Sequence, residues 1–349
     1  MKGNVVIIGA GLIGRKRAAA LNKFDDCRLI VTADINKNKA ESLAKEFGGE
    51  VESDWHQVIK RKDIDIVIVA TFNKFLSPIC IASLRNGKHV LCEKPLGRNT
   101  RESERIIEAG THSEVILKTG FNHRHHPAIY KAKKLVEKGA IGNIYYIRCI
   151  YGHGGRQGYE KEWRANKDLC GGGELLDQGV HVVDLFRWYL GEFDEVYGQI
   201  NTFYWNMKVE DNAFAMFRTK KGQVAVMHTS WTQWKNEFLF EVFGEKGYLI
   251  VDGLGGSYGT EKLITGKRKM ESGKHEQYVG GPPEEEIIEF PGPDISWIEE
   301  WKEFASAIKE NREPLGSGYD GLMANKLIEA VYQSARLNKP IKIDSRNRL

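Results

Sequence analysis

No apolar run in this 349-residue chain approaches the roughly 20 residues that cross a bilayer, which excludes an ordinary membrane-spanning helix. The longest such runs, residues 5–10 and 64–70, are of strand length. An excess of one charge sign is missing too. With 51 Lys and Arg against 47 Asp and Glu, no strong overall field attracts a polyanion, and nucleic acid is not an expected partner. Cysteine is sparse. The five thiols, Cys27, Cys80, Cys92, Cys149 and Cys170, are scattered, odd in number and without CxxC spacing. That argues against a disulfide framework or a zinc site and fits reduced thiols in a cytoplasm. The N-terminus begins like a secretion signal, with Lys2, an apolar stretch over 5–14 and small residues at 18–20, but Arg15, Lys16 and Arg17 interrupt it before any cleavage site. Internal repeats and low-complexity tracts are absent.

What is present has the period of two different architectures. Single hydrophobic cores stop growing at roughly 250–300 residues, so a chain of this length is expected to form two domains. In residues 1–123, short β-branched runs (4–8, 28–33, 65–70, 88–92, 115–120) alternate with helix-period segments (14–24, 37–47, 55–60, 78–86, 100–109). This predicts an α/β domain with a doubly wound parallel sheet. In residues 124–349 the pattern turns to longer alternating strands over 144–151, 195–204, 213–219, 224–232, 238–243 and 248–251, with hairpin turns at Lys220-Lys221-Gly222 and Gly244-Glu245-Lys246-Gly247. These predict an α+β domain on an open, mostly antiparallel sheet, interrupted or closed by helices over 175–190 and 297–308. Residues 253–283, rich in Gly, Ser, Lys and Glu, read as extended loop with weak strands and no chemistry, and residues 345–349 as a frayed tail.

Gly9-Ala10-Gly11-Leu12-Ile13-Gly14 follows an apolar strand and opens a helix, the context in which a GxGxxG pattern points to a dinucleotide. Gly9 permits the tight turn, Gly11 admits the pyrophosphate, and Gly14 lets helix and strand approach. Asp34 ends the second strand, where a carboxylate accepts from ribose hydroxyls and repels a 2′-phosphate. NAD is therefore favoured over NADP, although Lys37 and Lys39 lie just beyond. Read without a ligand, Asp34 is a turn or capping residue before Asn36.

Glu93-Lys94-Pro95 follows the next-to-last strand of the parallel sheet, at the carboxyl edge where such sheets bind ligands. There an ammonium can polarise a substrate oxygen; the bland reading is a surface lysine. In Gly171-Gly172-Gly173-Glu174-Leu175-Leu176-Asp177-Gln178-Gly179-Val180-His181-Val182-Val183-Asp184, helical spacing puts Asp177, His181 and Asp184 on one face. His181 then suits a general acid/base with Asp177 orienting it. An ordinary surface pair, a flexible glycine loop and a metal site remain alternatives.

Together these motifs, with Gly120-Phe121-Asn122 at the end of the last of these runs, resemble the Gfo/Idh/MocA oxidoreductases of the glucose-fructose oxidoreductase and inositol dehydrogenase type, over nearly the whole chain. The resemblance implies a Rossmann domain followed by an α+β domain. It implies hydride transfer between NAD and a CH–OH carbon of a sugar, sugar nucleotide or cyclitol. It assigns Lys94, Asp177 and His181 to the active site, and Gly9, Gly11, Leu12, Ile13, Gly14, Asp34, Thr71, Asn73, Glu93, Lys94 and Asn122 to the cofactor. Thr71-Phe72-Asn73-Lys74-Phe75-Leu76 lacks the proline and histidine of the family's Thr-Pro-Asn-x-x-His.

Candidate substrate contacts are Lys94, Arg124, Arg156, Trp163, Asp177 and His181. Arg124 lies in the histidine-rich run Asn122-His123-Arg124-His125-His126, which we read as substrate contact or solvated loop rather than metal site. Arg156 and Trp163 lie in a Gly- and aromatic-rich stretch whose guanidinium fork suits a polyol or an oxyanion such as phosphate. Two other catalytic outcomes are a cofactor-retaining epimerase, lyase or glycosidase and a metallohydrolase; a non-catalytic NAD sensor is a third reading. The open sheet predicts a homodimer or homotetramer.

Overall fold

The computed structural model describes residues 3–111, 114–268, 270–271, 277–278 and 283–343. The first apolar runs become β1 (Gly3–Ile8), β2 (Cys27–Ala33), β3 (Glu50–Glu52), β4 (Ile66–Val69), β5 (His89–Glu93) and β6 (Leu117–Gly120), paired all-parallel in the order β3-β2-β1-β4-β5-β6. Between them run α1 (Leu12–Leu21), α2 (Lys37–Phe47), α3 (Trp55–Ile59), α4 (Asn73–Arg85) and α5 (Thr100–Gly110). Helices cover both faces, so Val5–Ile7 and Ile66–Val69 lose all contact with water. The strand order reverses between β1 and β4, and this opens a crevice beyond their carboxyl ends, at Gly9 and at Ala70-Thr71.

After α6 (Pro127–Glu137), a nine-stranded sheet is built from β7 (Ile144–Gly152), β8 (Phe193–Asn201), β9 (Asn212–Thr219), β10 (Val224–Ser230), β11 (Glu237–Gly244), β12 (Gly247–Asp252) and β13 (Glu261–Lys267). A separate ribbon pairs β14 (Met270–Glu271) with β15 (Gln277–Tyr278), and β16 (Glu285–Phe290) and β17 (Ile341–Lys342) are the edges of the large sheet. Every pairing in that sheet is antiparallel except β7 with β10. Period-two alternation decides its faces. In β9, Ala213, Ala215 and Phe217 enter the core while Phe214 and Met216 are exposed. Between β7 and β8 run the short α7 (Lys167–Cys170) and α8 (Val180–Leu190); α8 and α10 (Gly318–Leu337) cover the inner face, through Val182, Phe186, Leu327 and Val331.

Three features differ from expectation. The helix over 297–308, expected against the open sheet, is α9 (Ser296–Glu310); it returns to the parallel sheet and packs Trp301, Phe304 and Ile308 with Ala18 and Leu21 of α1. Its apolar stripe announced burial without naming the partner. Residues 253–283, expected as extended loop with weak strands and no chemistry, hold β13 of the large sheet but also bring Leu254, Gly255, Ser257 and Tyr258 to the cleft described below. The long α10 was not foreseen. The expected tail over 345–349 lies outside the described residues. Among the described residues, no helix is long and apolar enough to cross a membrane.

Candidate active site

The crevice carries two adjoining cavities that share Ala70 and Thr71. One, of about 350 Å³, is lined by Gly9, Gly11, Asp34, Ile35, Asn36, Lys39 and Thr71; the other, of about 290 Å³, by Leu12, Ile13, Thr71, Asn73, Glu93, Lys94 and Asn122 among others. Gly9 has φ +105°, a backbone that side chains avoid, and a Cβ at Gly14 would strike the Gly9 carbonyl. Around Gly11 nothing lies within 4 Å of where a Cβ would stand, so the space that glycine keeps open belongs to no protein atom. Leu12 and Ile35, 74% and 85% exposed, leave apolar surface bare on either side of this loop. A dinucleotide fits these observations: the glycines make room at the N-terminus of α1, and the two aliphatic side chains await flat rings.

Asp34 spends its oxygens locally: Oδ2 accepts from Ala10 N and Oδ1 from Asn36 N, both at 2.8 Å. The carboxylate therefore braces the glycine loop as well as lining the larger cavity. Lys39 lines the same cavity, whereas Lys37 pairs with Glu41 at 3.7 Å.

Behind the smaller cavity, Glu93 is buried and accepts from Arg17 Nε at 2.7 Å. Arg17 also donates to Glu300 of α9 at 2.5 Å and lies over the Trp297 ring. Burial, only partly offset by Arg17, raises the Glu93 carboxyl above its ordinary value. Asn73 donates to Cys170 O at 2.8 Å, and Asn122 to Ser296 Oγ at 3.0 Å. Asn73 and Asn122 thus also tie the strand ends of the first sheet to Cys170 and Ser296, and Glu93 reaches Glu300 through Arg17.

Lys94, in a cis peptide with Pro95, donates to Asp177 Oδ1 at 2.7 Å and to Asp177 O. Arg164 Nε donates to Asp177 Oδ2 at 3.0 Å. Burial alone would raise the Asp177 carboxyl, but Lys94 and Arg164 hold it well below the usual carboxylate range. His181 is buried, its ring stacked on His123 at 3.8 Å between centroids. Burial, then the Lys94 charge, pushes its pKa well below the ordinary imidazole value. The imidazole is neutral at pH 7. Nδ1 is buried without a partner, which leaves Nε2 as the nitrogen open to the cleft.

Lys94, Asp177 and His181 therefore meet, but not as the spacing implied. The turn Leu175–Gly179 is π-helical, so the four-residue spacing of an α-helix does not hold there, and Asp177 bonds the two cations instead of orienting His181 through Nδ1. Asp184 does not join them in the cleft: it accepts a two-pronged contact from Arg124, at 2.8 and 2.6 Å. Arg124, expected to touch substrate, is buried in that pair and donates to Asp320 at 3.2 Å; it lines neither cavity. The triple glycine is tightly packed rather than slack, for a Cβ at Gly172 would collide with the Tyr332 hydroxyl and one at Gly173 with Glu210. Arg156 and Trp163 do line the cleft, Trp163 stacked on Phe72 at 5.0 Å.

Of the other cleft residues, Tyr151 and Arg164 lie in the stretch that also carries Arg156 and Trp163, His126, paired with the buried Glu261 at 3.0 Å, in the histidine-rich run, and Gln178 in the triple-glycine motif, none of them singled out there; Tyr258, 2.9 Å from Gln178, escaped notice in the sequence. No short motif surrounds Tyr258. Among the described residues, no group of three His, Cys, Asp or Glu side chains is arranged to hold a metal ion, and all five cysteines are buried and unpaired.

Comparison with known proteins agrees with this geometry. Residues 3–121 match the model of the oxidoreductase family with an NAD-binding Rossmann fold, and residues 129–250 that of the GFO/IDH/MocA C-terminal domain. The chain belongs to the Gfo/Idh/MocA oxidoreductases. Among its relatives, levoglucosan dehydrogenase of Pseudarthrobacter phenanthrenivorans is 28% identical, the match covering 95% of this chain and 96% of that one. Myo-inositol 2-dehydrogenase of Thermotoga maritima is also 28% identical, over 97% and 98%. The solved structure of a levoglucosan dehydrogenase with NADH and levoglucosan superposes with a TM-score of 0.85 at 27% identity, covering 98% of this chain and 99% of that one. As a Gfo/Idh/MocA oxidoreductase, the chain takes NAD on its Rossmann domain and acts on CH–OH groups.

Proposed function

We propose that this oxidoreductase interconverts a secondary alcohol and a ketone on a sugar or cyclitol, with Lys94, Asp177 and His181 as the catalytic group. The observation that carries the reading is the neutral His181 beside the Lys94–Asp177 pair, in a cavity that adjoins the dinucleotide cradle. Relatives named for levoglucosan and myo-inositol support a polyol substrate.

When bound, NAD⁺ supplies the hydride acceptor. Nε2 of His181 takes the hydroxyl proton, which a neutral imidazole can do and an imidazolium cannot. Lys94 donates to the same oxygen and stabilises the negative charge that grows there; Asp177 keeps the ammonium in place. Trp163 and Phe72 give an apolar wall for a sugar ring, and Tyr151, Tyr258 and Gln178 give hydroxyl and amide partners for its other oxygens. Asp34 supports NAD over NADP by repulsion of a 2′-phosphate. The exposed Phe214, Met216, Val226 and Tyr145 on the outer sheet support a homodimer or homotetramer, and the unpaired thiols support a cytoplasmic site of action.

The test is absorbance at 340 nm with NAD⁺ and NADP⁺ against a panel of sugars and cyclitols. Reduced nicotinamide is expected with NAD⁺, and its rate should collapse in Lys94→Ala and His181→Ala. Tight NADH binding without turnover on any polyol would refute the proposal.

A further inference from the structure

The guanidinium fork of Arg156, the group in the cleft best shaped to hold a phosphate, is already occupied. Its Nε and Nη2 donate to the two carboxylate oxygens of Glu162, each at 2.7 Å. Arg164 lies between two carboxylates, 3.0 Å from Asp177 and 3.8 Å from Glu162. Lys94, the third cation on the substrate side, is held by Asp177 at 2.7 Å. Among the described residues the one remaining cleft cation, Lys16, belongs to α1 at the dinucleotide loop, where its ammonium lies 5.0 Å over the Trp297 ring. No cation on the substrate side, among the described residues, lacks a carboxylate partner. The other polar groups there, Tyr151, Tyr258, Gln178 and His153, suit neutral hydroxyls.

We infer that Glu162 determines specificity by neutralising Arg156 and Arg164, and that it restricts the cleft to uncharged polyols, excluding sugar phosphates and nucleotide sugars. This rests on the polyol reading above. An exposed ion pair is weak, and with Arg156 63% exposed an arriving phosphate could break this one. The carboxylate would not leave, however. Glu162 opens the short 3₁₀ turn that carries Trp163 and Arg164, and its side chain, only 26% exposed, would remain against the dianion. Rejection therefore comes from repulsion built against the wrong ligand, rather than from any better contact with the right one. The same fork that suggested an oxyanion in the sequence is thereby turned to the opposite use.

The experiment titrates inorganic phosphate calorimetrically into NADH-saturated protein, so that the cofactor cradle is filled, for wild type, Glu162→Gln and the double variant Glu162→Gln with Arg156→Gln. Glu162→Gln is expected to bind phosphate at least about tenfold more tightly than wild type, and the double variant to lose that gain. In parallel, kcat/KM for glucose 6-phosphate relative to glucose should rise about tenfold in Glu162→Gln, with a Tm close to that of wild type. Equal phosphate affinity in wild type and Glu162→Gln overturns the inference, as does a wild type that oxidises the phosphorylated sugar better than the free one. If no sugar is oxidised, the dehydrogenase proposal fails while the phosphate titration still decides the role of Glu162.

Discussion

Asp177→Asn keeps the shape of the side chain and removes the charge shared by Lys94 and Arg164. At 2.7 Å and an effective dielectric constant near 20, the Lys94 contact alone represents about 6 kcal/mol of Coulomb energy. Desolvation offsets much of this, and removing one partner of a buried pair costs about 3–5 kcal/mol. Asp177 is 19% exposed, which places the loss at the lower end, about 3 kcal/mol, or a fall in Tm of about 4 °C for a chain of this length. The effect on rate is separate. Without its anchor, the Lys94 ammonium moves off the reacting oxygen, and a displacement of about 1 Å lowers kcat about a hundredfold. Thermal unfolding and 340 nm kinetics on Asp177→Asn, Lys94→Met and the double variant read both effects. The double variant should fall short of additivity by at least about 1 kcal/mol in stability. Wild-type kcat in Asp177→Asn, or full additivity, would refute the pairing as the basis of either effect.

Three further outcomes follow from the same geometry. Gly11→Val should abolish NADH binding, measured by nicotinamide fluorescence, with Tm close to that of wild type, because no protein atom lies within 4 Å of a Cβ at this position. The acid limb of kcat/KM for polyol oxidation should fall below pH 6.5: His181 must be neutral to accept the proton, its pKa is depressed, and activity is therefore lost only as pH drops through that lowered value. Arg124→Met should destabilise by about 3 kcal/mol while leaving KM for the polyol alone, since it strands the buried Asp184. That carboxyl already sits at about 6 and would rise further without its partner, so the loss should shrink at pH 5, where Asp184 is protonated and no longer needs one.

The first sheet was legible because period, glycine and strand-end chemistry are local. The run at 5–10 carries its own turn, and Lys94 and Asp34 follow their strands at once. Lys94, Asp177 and His181 could be named because each sits in a motif, but their contacts could not. The π-helical turn at Leu175–Gly179 changes phase without any residue that marks it. Arg124 and Arg156 look alike in the sequence; one is fixed by Asp184 and Asp320, the other by Glu162, and only the first of these partnerships removes its arginine from the cleft. Tyr258 was missed because its segment is rich in glycine and polar residues, a composition that describes the path of a loop rather than where it comes to rest.

The return of α9 to the parallel sheet also bears on the order of events during synthesis. Trp301, Phe304 and Ile308 complete the apolar layer on one side of a sheet whose last strand ends at Gly120, and residues 121–295 must emerge before they do. At about 5–20 residues per second this is a delay of roughly 10–35 s, during which Ala18, Leu21 and Leu91 lack their cover. The nascent first half is then an incomplete globule exposed to chaperones and proteases. A fragment ending before Ser296 should inherit that state permanently and aggregate instead of folding as an autonomous nucleotide-binding unit.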